Sequence, residues 1–137
     1  MSTTYQAIIF DFYGVIYTGQ AGAVIDVELL AYIQQLKQHY KLAVCSNISA
    51  RGLAELLDAH NLTSTFDVTV TSDAVGVSKP NAEIFRYTLR TLGVDAVNAI
   101  FVDDQMKNVQ GAQALGITGV WYQNRLTFQA ELDRLLT

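Results

Sequence analysis

Four short apolar stretches of this chain each end at a polar side chain that could take part in chemistry. Residues 8–10 precede Asp11, residues 43–45 precede Ser46, residues 75–77 precede Ser78 and Lys79, and residues 100–102 precede Asp103. The carboxyl ends of parallel strands lie along one edge of a sheet, and ligands of open α/β sheets bind outside that edge. With three of the stretches as strands, the pattern predicts one site where carboxylates, a hydroxyl and an ammonium group meet a small anionic substrate.

The composition favours one globular domain over residues 1–137. Half of the 137 residues are hydrophobic, which is enough to bury a core without disulfides. The net charge is −4 and the nine Lys and Arg are scattered, so we expect neither nucleic acid nor a membrane surface as a partner. The single cysteine, Cys45, and the absence of a visible signal peptide or membrane span predict a cytoplasmic protein.

Apolar runs alternate with segments of helical periodicity, which is typical of βα units around a parallel sheet. We predict strands at residues 7–12, 42–46, 68–71, 99–102 and 119–122. Apolar stripes predict helices between them, the clearest formed by Ile84, Phe85, Thr88, Leu89 and Leu92. Residues 126–136 are predicted as a final helix. The chain is therefore expected to adopt an α/β fold.

The polar positions resemble the four motifs of the haloacid dehalogenase-like (HAD) hydrolases. The matching residues are Asp11 at the head of the segment DFYGVI, then Ser46-Asn47, then Lys79-Pro80, then Asp103-Asp104 with Asn108. Order and spacing agree from residue 8 to about residue 122. The resemblance implies a Rossmann-like three-layer α/β/α domain with a parallel five-stranded sheet in the order 3-2-1-4-5. That order would put Asp11 between Ser46 and Asp103.

Each residue type in these motifs suits phosphoryl transfer, although an isolated Asp, Ser or Asn after a strand is more often a turn or cap residue. Asp11 is the candidate nucleophile, because a carboxylate can form a covalent intermediate that water then opens. Lys79, the Ser46 hydroxyl and Asn47, with nearby backbone N–H groups, would stabilise the charge on the phosphoryl oxygens.

Mg²⁺ is the expected cofactor, because it prefers hard oxygen ligands and keeps several waters. Asp11 and Asp103 would supply two carboxylates, and the resemblance adds the backbone carbonyl of Tyr13 as a third ligand. Asp104 and Asn108 are expected to orient these ligands or to hold Lys79.

Tyr13 departs from the phosphatase pattern of the resembling family. Those phosphatases normally have a second Asp here, which protonates the leaving oxygen and later activates water. A phenol, with an ordinary pKa of about 10, is a poor general base, and loss of acid–base catalysis removes roughly 10²- to 10⁴-fold in rate. In the same family, 2-haloacid dehalogenases have a tyrosine at this place and phosphonate hydrolases a small residue, so Tyr13 alone does not imply an inactive site.

The spacing between motifs leaves no room for a cap domain. A helix predicted at residues 24–39 fills the first gap, and a helix and a strand fill the gap between Asn47 and Lys79. We therefore expect a capless site, open to solvent unless a second copy of the chain covers it. Residues 17–23 are the expected local cover, and self-association would give a dimer or tetramer.

Three functions remain open from the residues. The first is a Mg²⁺-dependent phosphatase or phosphotransferase that acts on a small phosphorylated metabolite through an aspartyl-phosphate, slowed by Tyr13 or confined to good leaving groups. The second is a catalytically silent domain of the same fold that binds or regulates. The third is a 2-haloacid dehalogenase-type hydrolase, against which Asp103 argues because those enzymes normally have Ser there.

Overall fold

A five-stranded parallel sheet lies between two layers of helices in the computed structural model, which describes residues 4–18 and 24–137. The strands are β1 (Ala7–Phe10), β2 (Tyr17–Thr18), β3 (Val24–Ile25), β4 (Lys41–Ser46), β5 (Val68–Thr71), β6 (Ala99–Asp103) and β7 (Thr118–Trp121). The helices are α1 (Val27–Lys37), α2 (Ala50–Ala59), α3 (Ser72–Val75), α4 (Ala82–Leu92), α5 (Met106–Gln113) and α6 (Arg125–Leu136), with a 3₁₀ turn at Ala96–Asn98. None of the described helices combines the length and the hydrophobicity needed to cross a membrane.

The strand order of the main sheet is β5-β4-β1-β6-β7, and every neighbouring pair is parallel. Numbered along the chain, the five strands lie in the order 3-2-1-4-5, so the predicted fold class is confirmed. β1 is the central strand, between β4 and β6. The residues that follow these three strands therefore share the carboxyl edge of the sheet.

Both faces of the sheet are covered, which is why its strands are apolar runs rather than alternating ones. Ile8 and Phe10 of β1 pack in a core shared with α1, α2 and α6. Ala7 and Ile9 pack in a second core with α4 and α5. All five residues of the stripe predicted for α4 are buried. Because neither face is open, a ligand can reach the sheet only at its ends.

Two local predictions were wrong. β1 ends at Phe10 rather than at residue 12, because the chain turns immediately and the N–H groups of Ile16 and Tyr17 both donate to Phe12 O at 2.9 Å. The first helix does not begin at residue 24. Instead, β3 pairs antiparallel with β2, and α1 starts after Asp26, whose carboxylate accepts the N–H groups of the first helical turn.

No element was predicted at α3, a single helical turn directly after β5, because four residues show no periodicity. Of the segment expected to cover the site, the structure describes the backbone at positions 17 and 18, and residues 19–23 lie outside the described residues. The cover therefore stays a prediction.

Close packing between α5 and the loop that carries Lys79 fixes that loop against the sheet. A Cβ atom added at Gly111 would lie 2.8 Å from Pro80 Cβ and 3.0 Å from Pro80 O. Only glycine allows this approach, because both distances are shorter than ordinary van der Waals contact. Gly111 thus helps to set the position of the residue beside Pro80, which is Lys79.

Gly111→Ala should lower the free energy of unfolding by about 1 to 3 kcal/mol, because the added methyl group overpacks the contact with Pro80. Urea denaturation measures the effect. Gly52→Ala in α2 is the matched control, since the near neighbour of its Cβ is the end of the Ser49 side chain at 3.0 Å. That control should change the stability by less than about 1 kcal/mol. A Gly111→Ala protein as stable as the wild type would contradict the tight contact.

Candidate active site

Lys79 lies between two carboxylates at the carboxyl edge of the sheet. Its Nζ donates to Asp11 Oδ1 at 2.8 Å and to Asp103 Oδ2 at 2.9 Å. The three side chains are 1%, 9% and 0% exposed, in the order Lys79, Asp11 and Asp103. Asp11 follows β1, Asp103 ends β6, and Lys79 comes from the loop between α3 and α4. The strand order therefore creates a buried charge cluster from three distant segments.

Asn47 holds the backbone of Lys79 from both sides. The Lys79 N–H donates to Asn47 Oδ1 at 2.9 Å, and Asn47 Nδ2 donates to Lys79 O at 3.3 Å. The Lys79 ammonium also lies 5.4 Å from the centroid of the Phe101 ring, a cation–π distance. The observed contacts make Asn47 a residue that positions Lys79.

Ser46 is the last residue of β4 and is buried. β4 pairs with β1, the strand that Asp11 follows. Its Oγ accepts a hydrogen bond from the Ile48 N–H at 3.3 Å. The hydroxyl hydrogen can still donate, because accepting that bond uses only a lone pair. Ser46 can therefore offer a donor at the same edge of the sheet as Asp11.

Asp103 is fixed by donors on both of its oxygens. Oδ1 accepts the Gln105 N–H at 2.9 Å, and Oδ2 accepts Asn108 Nδ2 at 3.1 Å in addition to Lys79. Among the described residues, Asn108 Oδ1 is buried without a hydrogen-bond partner. The side chain of Asn108 thus orients Asp103 through its amide nitrogen.

Asp104 lies closer to the cluster than a purely supporting role requires. Its carboxylate packs on Gly14, where the backbone has a φ of +87° and where a Cβ atom would overlap the carboxylate. One oxygen each of Asp11, Asp103 and Asp104 lie within 4.8 Å of one another. Three carboxylate oxygens at this spacing suit a hard divalent cation, so the donor set fits Mg²⁺.

The charges of the cluster shift one another. Burial raises the pKa of Asp11 to about 7, against the lowering effect of Lys79 and with a further increase from Asp103. Burial lowers the pKa of Lys79, but Asp11 and Asp103 outweigh it, so its pKa is above the ordinary value. Burial and the adjacent Asp103 raise the pKa of Asp104. Lys79 therefore stays charged, and it faces more carboxylates than it can neutralise.

Tyr13 stands at the surface beside Asp11, with 41% of its area exposed. Its ring packs edge-on against Tyr17, with centroids 5.4 Å apart, and against Phe12 at 5.9 Å. The turn is closed by backbone bonds on either side, from Gly14 N to Tyr17 O at 3.0 Å and from Tyr17 N to Phe12 O at 2.9 Å. The phenol is therefore held by aromatic packing next to the candidate nucleophile.

Two contacts around the cluster were not predicted from the sequence. Phe101 lies under the Lys79 ammonium, and Trp121 Nε1 donates to Asp104 O at 2.9 Å. The second contact follows from the register of β6 and β7, which pairs Asp103 with Trp121. A prediction of that register would have been needed to indicate it. Cys45 takes no part, since burial raises the pKa of its thiol to about 11 in the core.

Lys79→Met should lower the free energy of unfolding at pH 7 by about 3 to 5 kcal/mol, because it leaves two buried carboxylates without a cation. Urea denaturation of Lys79→Met, of Asp103→Asn and of the double variant shows whether the unpaired carboxylates cause this loss of stability. The double variant should recover part of it, since one of the unpaired charges is gone. Strictly additive losses would show that the two side chains are not coupled.

Residues 27–122 match the sequence model of the haloacid dehalogenase-like hydrolase family. The sesquiterpene phosphatase astK of Aspergillus oryzae is 30% identical over 112 residues, which cover 81% of this chain and 57% of that protein. This chain thus spans a little over half of the length of that relative.

Two solved structures share the fold. A HAD-like family hydrolase from Porphyromonas gingivalis superposes with a TM-score of 0.82 at 21% identity, covering 97% of this chain and 98% of its own. A HAD family enzyme from Bacteroides thetaiotaomicron, in complex with magnesium and inorganic phosphate, has a TM-score of 0.75 at 16% identity, covering 87% and 94%. The sequence match extends over well over half of the chain, and this chain therefore belongs to the haloacid dehalogenase-like hydrolases.

Proposed function

We propose that this chain is a Mg²⁺-dependent phosphatase or phosphotransferase that acts on a small phosphorylated substrate through Asp11. The observation that carries the proposal is the contact of Lys79 with both Asp11 and Asp103 at the carboxyl edge of the sheet. These contacts bring together a proposed nucleophile, Asp11, a cation for the phosphoryl oxygens, Lys79, and a carboxylate for a metal, Asp103. The relative named as a sesquiterpene phosphatase and the magnesium and phosphate in the Bacteroides enzyme support the same chemistry.

In the proposed reaction, a carboxylate oxygen of Asp11 attacks phosphorus and forms an aspartyl-phosphate. The bond between phosphorus and the leaving oxygen breaks, and the electron pair departs with the leaving group. Water then attacks the same phosphorus, releases inorganic phosphate and restores Asp11. In a phosphotransferase, an acceptor hydroxyl would replace this water.

Lys79 has two tasks in this scheme. Its contact with Asp11 at 2.8 Å favours the ionised form that attacks, and its remaining N–H can donate to a phosphoryl oxygen. The Ser46 hydroxyl would donate to a second oxygen. Asn47 keeps Lys79 in place through the two backbone contacts. Preorganised donors of this kind stabilise the charge that the phosphoryl group carries in the transition state.

Asp11, Asp103 and the backbone carbonyl of Tyr13 are the proposed ligands of Mg²⁺, and Asp104 is near enough to bind it or to orient one of its waters. When bound, the metal would neutralise charge on the transferring phosphoryl group. Asn108 would support this set through its bond to Asp103.

The chain is also proposed to work without a cap domain. The described residues between Asp11 and Ser46 form β2, β3 and α1, and those between Asn47 and Lys79 form α2, β5 and α3. Access to Asp11 would then be controlled by the turn that carries Tyr13, or by a second copy of the chain.

Tyr13 favours a second candidate function, a catalytically silent domain that retains the metal and phosphate contacts. It replaces the residue that would protonate the leaving oxygen, and its side chain is held by aromatic neighbours. The cluster around Lys79 nevertheless holds the proposed nucleophile, the cation and the carboxylates proposed for the metal. We therefore favour an enzyme restricted to leaving groups that depart without a proton.

Isothermal titration calorimetry should detect Mg²⁺ binding to the wild-type protein, and Asp103→Asn should weaken it at least about tenfold. The reason is that Asn removes the negative charge while keeping the shape of the side chain. Asp95→Asn is the control, because Asp95 is an exposed carboxylate ahead of the 3₁₀ turn, outside the cluster. No magnesium heat in the wild type, or equal heat in Asp103→Asn, would remove the metal from the proposal.

Acetyl phosphate or p-nitrophenyl phosphate should be hydrolysed roughly 10²-fold faster than an alkyl phosphate of similar size, because no carboxylic acid stands at position 13. Phosphate release under steady-state conditions measures both rates. Tyr13→Asp should narrow the difference by raising the rate on the alkyl phosphate.

The control for that substitution is Tyr87→Asp on α4, because Tyr87 has the same exposed fraction as Tyr13, 41%. It should leave the ratio of the two rates at the wild-type value. Equal wild-type rates on both kinds of substrate would mean that another residue supplies the proton.

A further inference from the structure

Exposed apolar side chains are concentrated at the end of the sheet that carries Asp11. Seven large hydrophobic side chains of the described residues are exposed, and five belong to segments at the carboxyl ends of the strands: Tyr13, Val27, Met106, Trp121 and Leu126. The other two, Tyr87 and Val97, lie on α4 and in the 3₁₀ turn before β6. Single exposed apolar residues are common on protein surfaces, whereas a concentration of them marks a place where something binds.

Three of these side chains, which we call the apolar border, adjoin the charge cluster. They are Tyr13, Met106 and Trp121. Trp121 is tied to the backbone of Asp104 through its indole N–H at 2.9 Å, and it pairs with Asp103 in the register of β6 and β7. Met106 is the first residue of α5, two positions after Asp104.

Tyr13 is connected to Asp104 through its neighbour Gly14. It comes two positions after Asp11, and the next residue, Gly14, packs against the Asp104 carboxylate. Tyr13 and Met106 thus lie two positions along the chain from Asp11 and Asp104, and Trp121 bonds directly to Asp104. An anionic group bound at the cluster would have this apolar surface beside it.

The chemistry of the border separates classes of leaving group. A sugar or nucleoside would need several hydrogen-bonding partners, but the Trp121 N–H is already used and Met106 offers only a weak acceptor. The Tyr13 hydroxyl is the remaining strong polar group of the three. An alkyl chain or an apolar ring needs no such partners, and it would remove both its own apolar surface and that of the border from water.

We infer that the apolar border selects phosphorylated substrates whose leaving group is an extended apolar chain or ring. This inference rests on the proposed phosphatase function and names its substrate class. The phosphate would occupy the charge cluster, and the leaving group would lie against Tyr13, Met106 and Trp121.

A series of straight-chain acyl phosphates from acetyl to octanoyl tests the inference. In each case Asp11 would break the bond between phosphorus and the acyl oxygen, a carboxylate would depart with the electron pair, and water would release phosphate. The acidity of the leaving group stays nearly constant while its apolar length grows. We expect kcat/KM to rise with each added methylene, by up to about fourfold where the methylene is fully buried.

Met106→Gln should flatten this dependence on chain length, because it keeps the length of the side chain and makes its end polar. Val97→Thr is the control. It changes another exposed apolar residue, which lies outside the carboxyl edge, and it should keep the wild-type dependence. Circular dichroism of each variant confirms that the fold is retained.

The outcomes separate the inference from the proposed function. A rise with chain length that Met106→Gln flattens and Val97→Thr does not supports the inference. Turnover that is independent of chain length overturns it but leaves the phosphatase in place. If light scattering then also shows twice the monomer mass of 15.1 kDa and Met106→Gln restores the monomer, the border is a contact with a second copy. No turnover of any acyl phosphate removes the function and the inference together.

Discussion

The site depends on the contacts that the ammonium group of Lys79 makes with Asp11 and Asp103. Two carboxylates at the end of the central strands are buried, and a buried carboxylate without a cation is strongly destabilising. Much of the surrounding structure keeps this ammonium in place. Asn47 binds the Lys79 backbone, Gly111 lets α5 approach the adjacent Pro80, and Phe101 supports the charged end of the side chain. The strand order β4-β1-β6 thus brings Asn47, Asp11 and Asp103 to one edge of the sheet, where the loop that carries Lys79 meets them.

The same cluster explains why a metal belongs to the proposed chemistry. Asp11, Asp103 and Asp104 bring three carboxylates together, and among the described residues Lys79 is the one cation in contact with two of them. A phosphate group that approached this arrangement would meet more negative than positive charge. A divalent cation offsets that excess of negative charge and attracts the phosphoryl oxygens. Lys79 alone therefore stabilises the folded protein, whereas Lys79 with a metal would stabilise a bound phosphate.

The sequence was sufficient to predict the architecture, because an uninterrupted apolar run indicates a strand that is buried on both faces of its sheet. It predicted the five main strands, the stripe of α4, and, through the family resemblance, the strand order. It failed where structure depends on contacts rather than on periodicity. The two-residue strands β2 and β3 are too short to show a pattern, and the single turn α3 has no apolar stripe. The contacts of Asn47 with Lys79 join residues 32 positions apart, and the exposure of Tyr13 depends on how Phe12 and Tyr17 pack around it. Neither can be read from neighbouring residues.

The central position of β1 has a consequence for biosynthesis. β1 leaves the ribosome before both of its neighbours, and the second of them, β6, begins only at Ala99. At ordinary elongation speeds, the roughly 90 residues between them correspond to about 5 to 20 seconds of translation. During that time one edge of a wholly apolar strand has no native partner, and nascent chains in such a state are exposed to aggregation. Of the strands in the main sheet, β1 therefore has the longest delay before its second partner is synthesised. Any dependence of this protein on chaperones should arise from this exposed edge of β1.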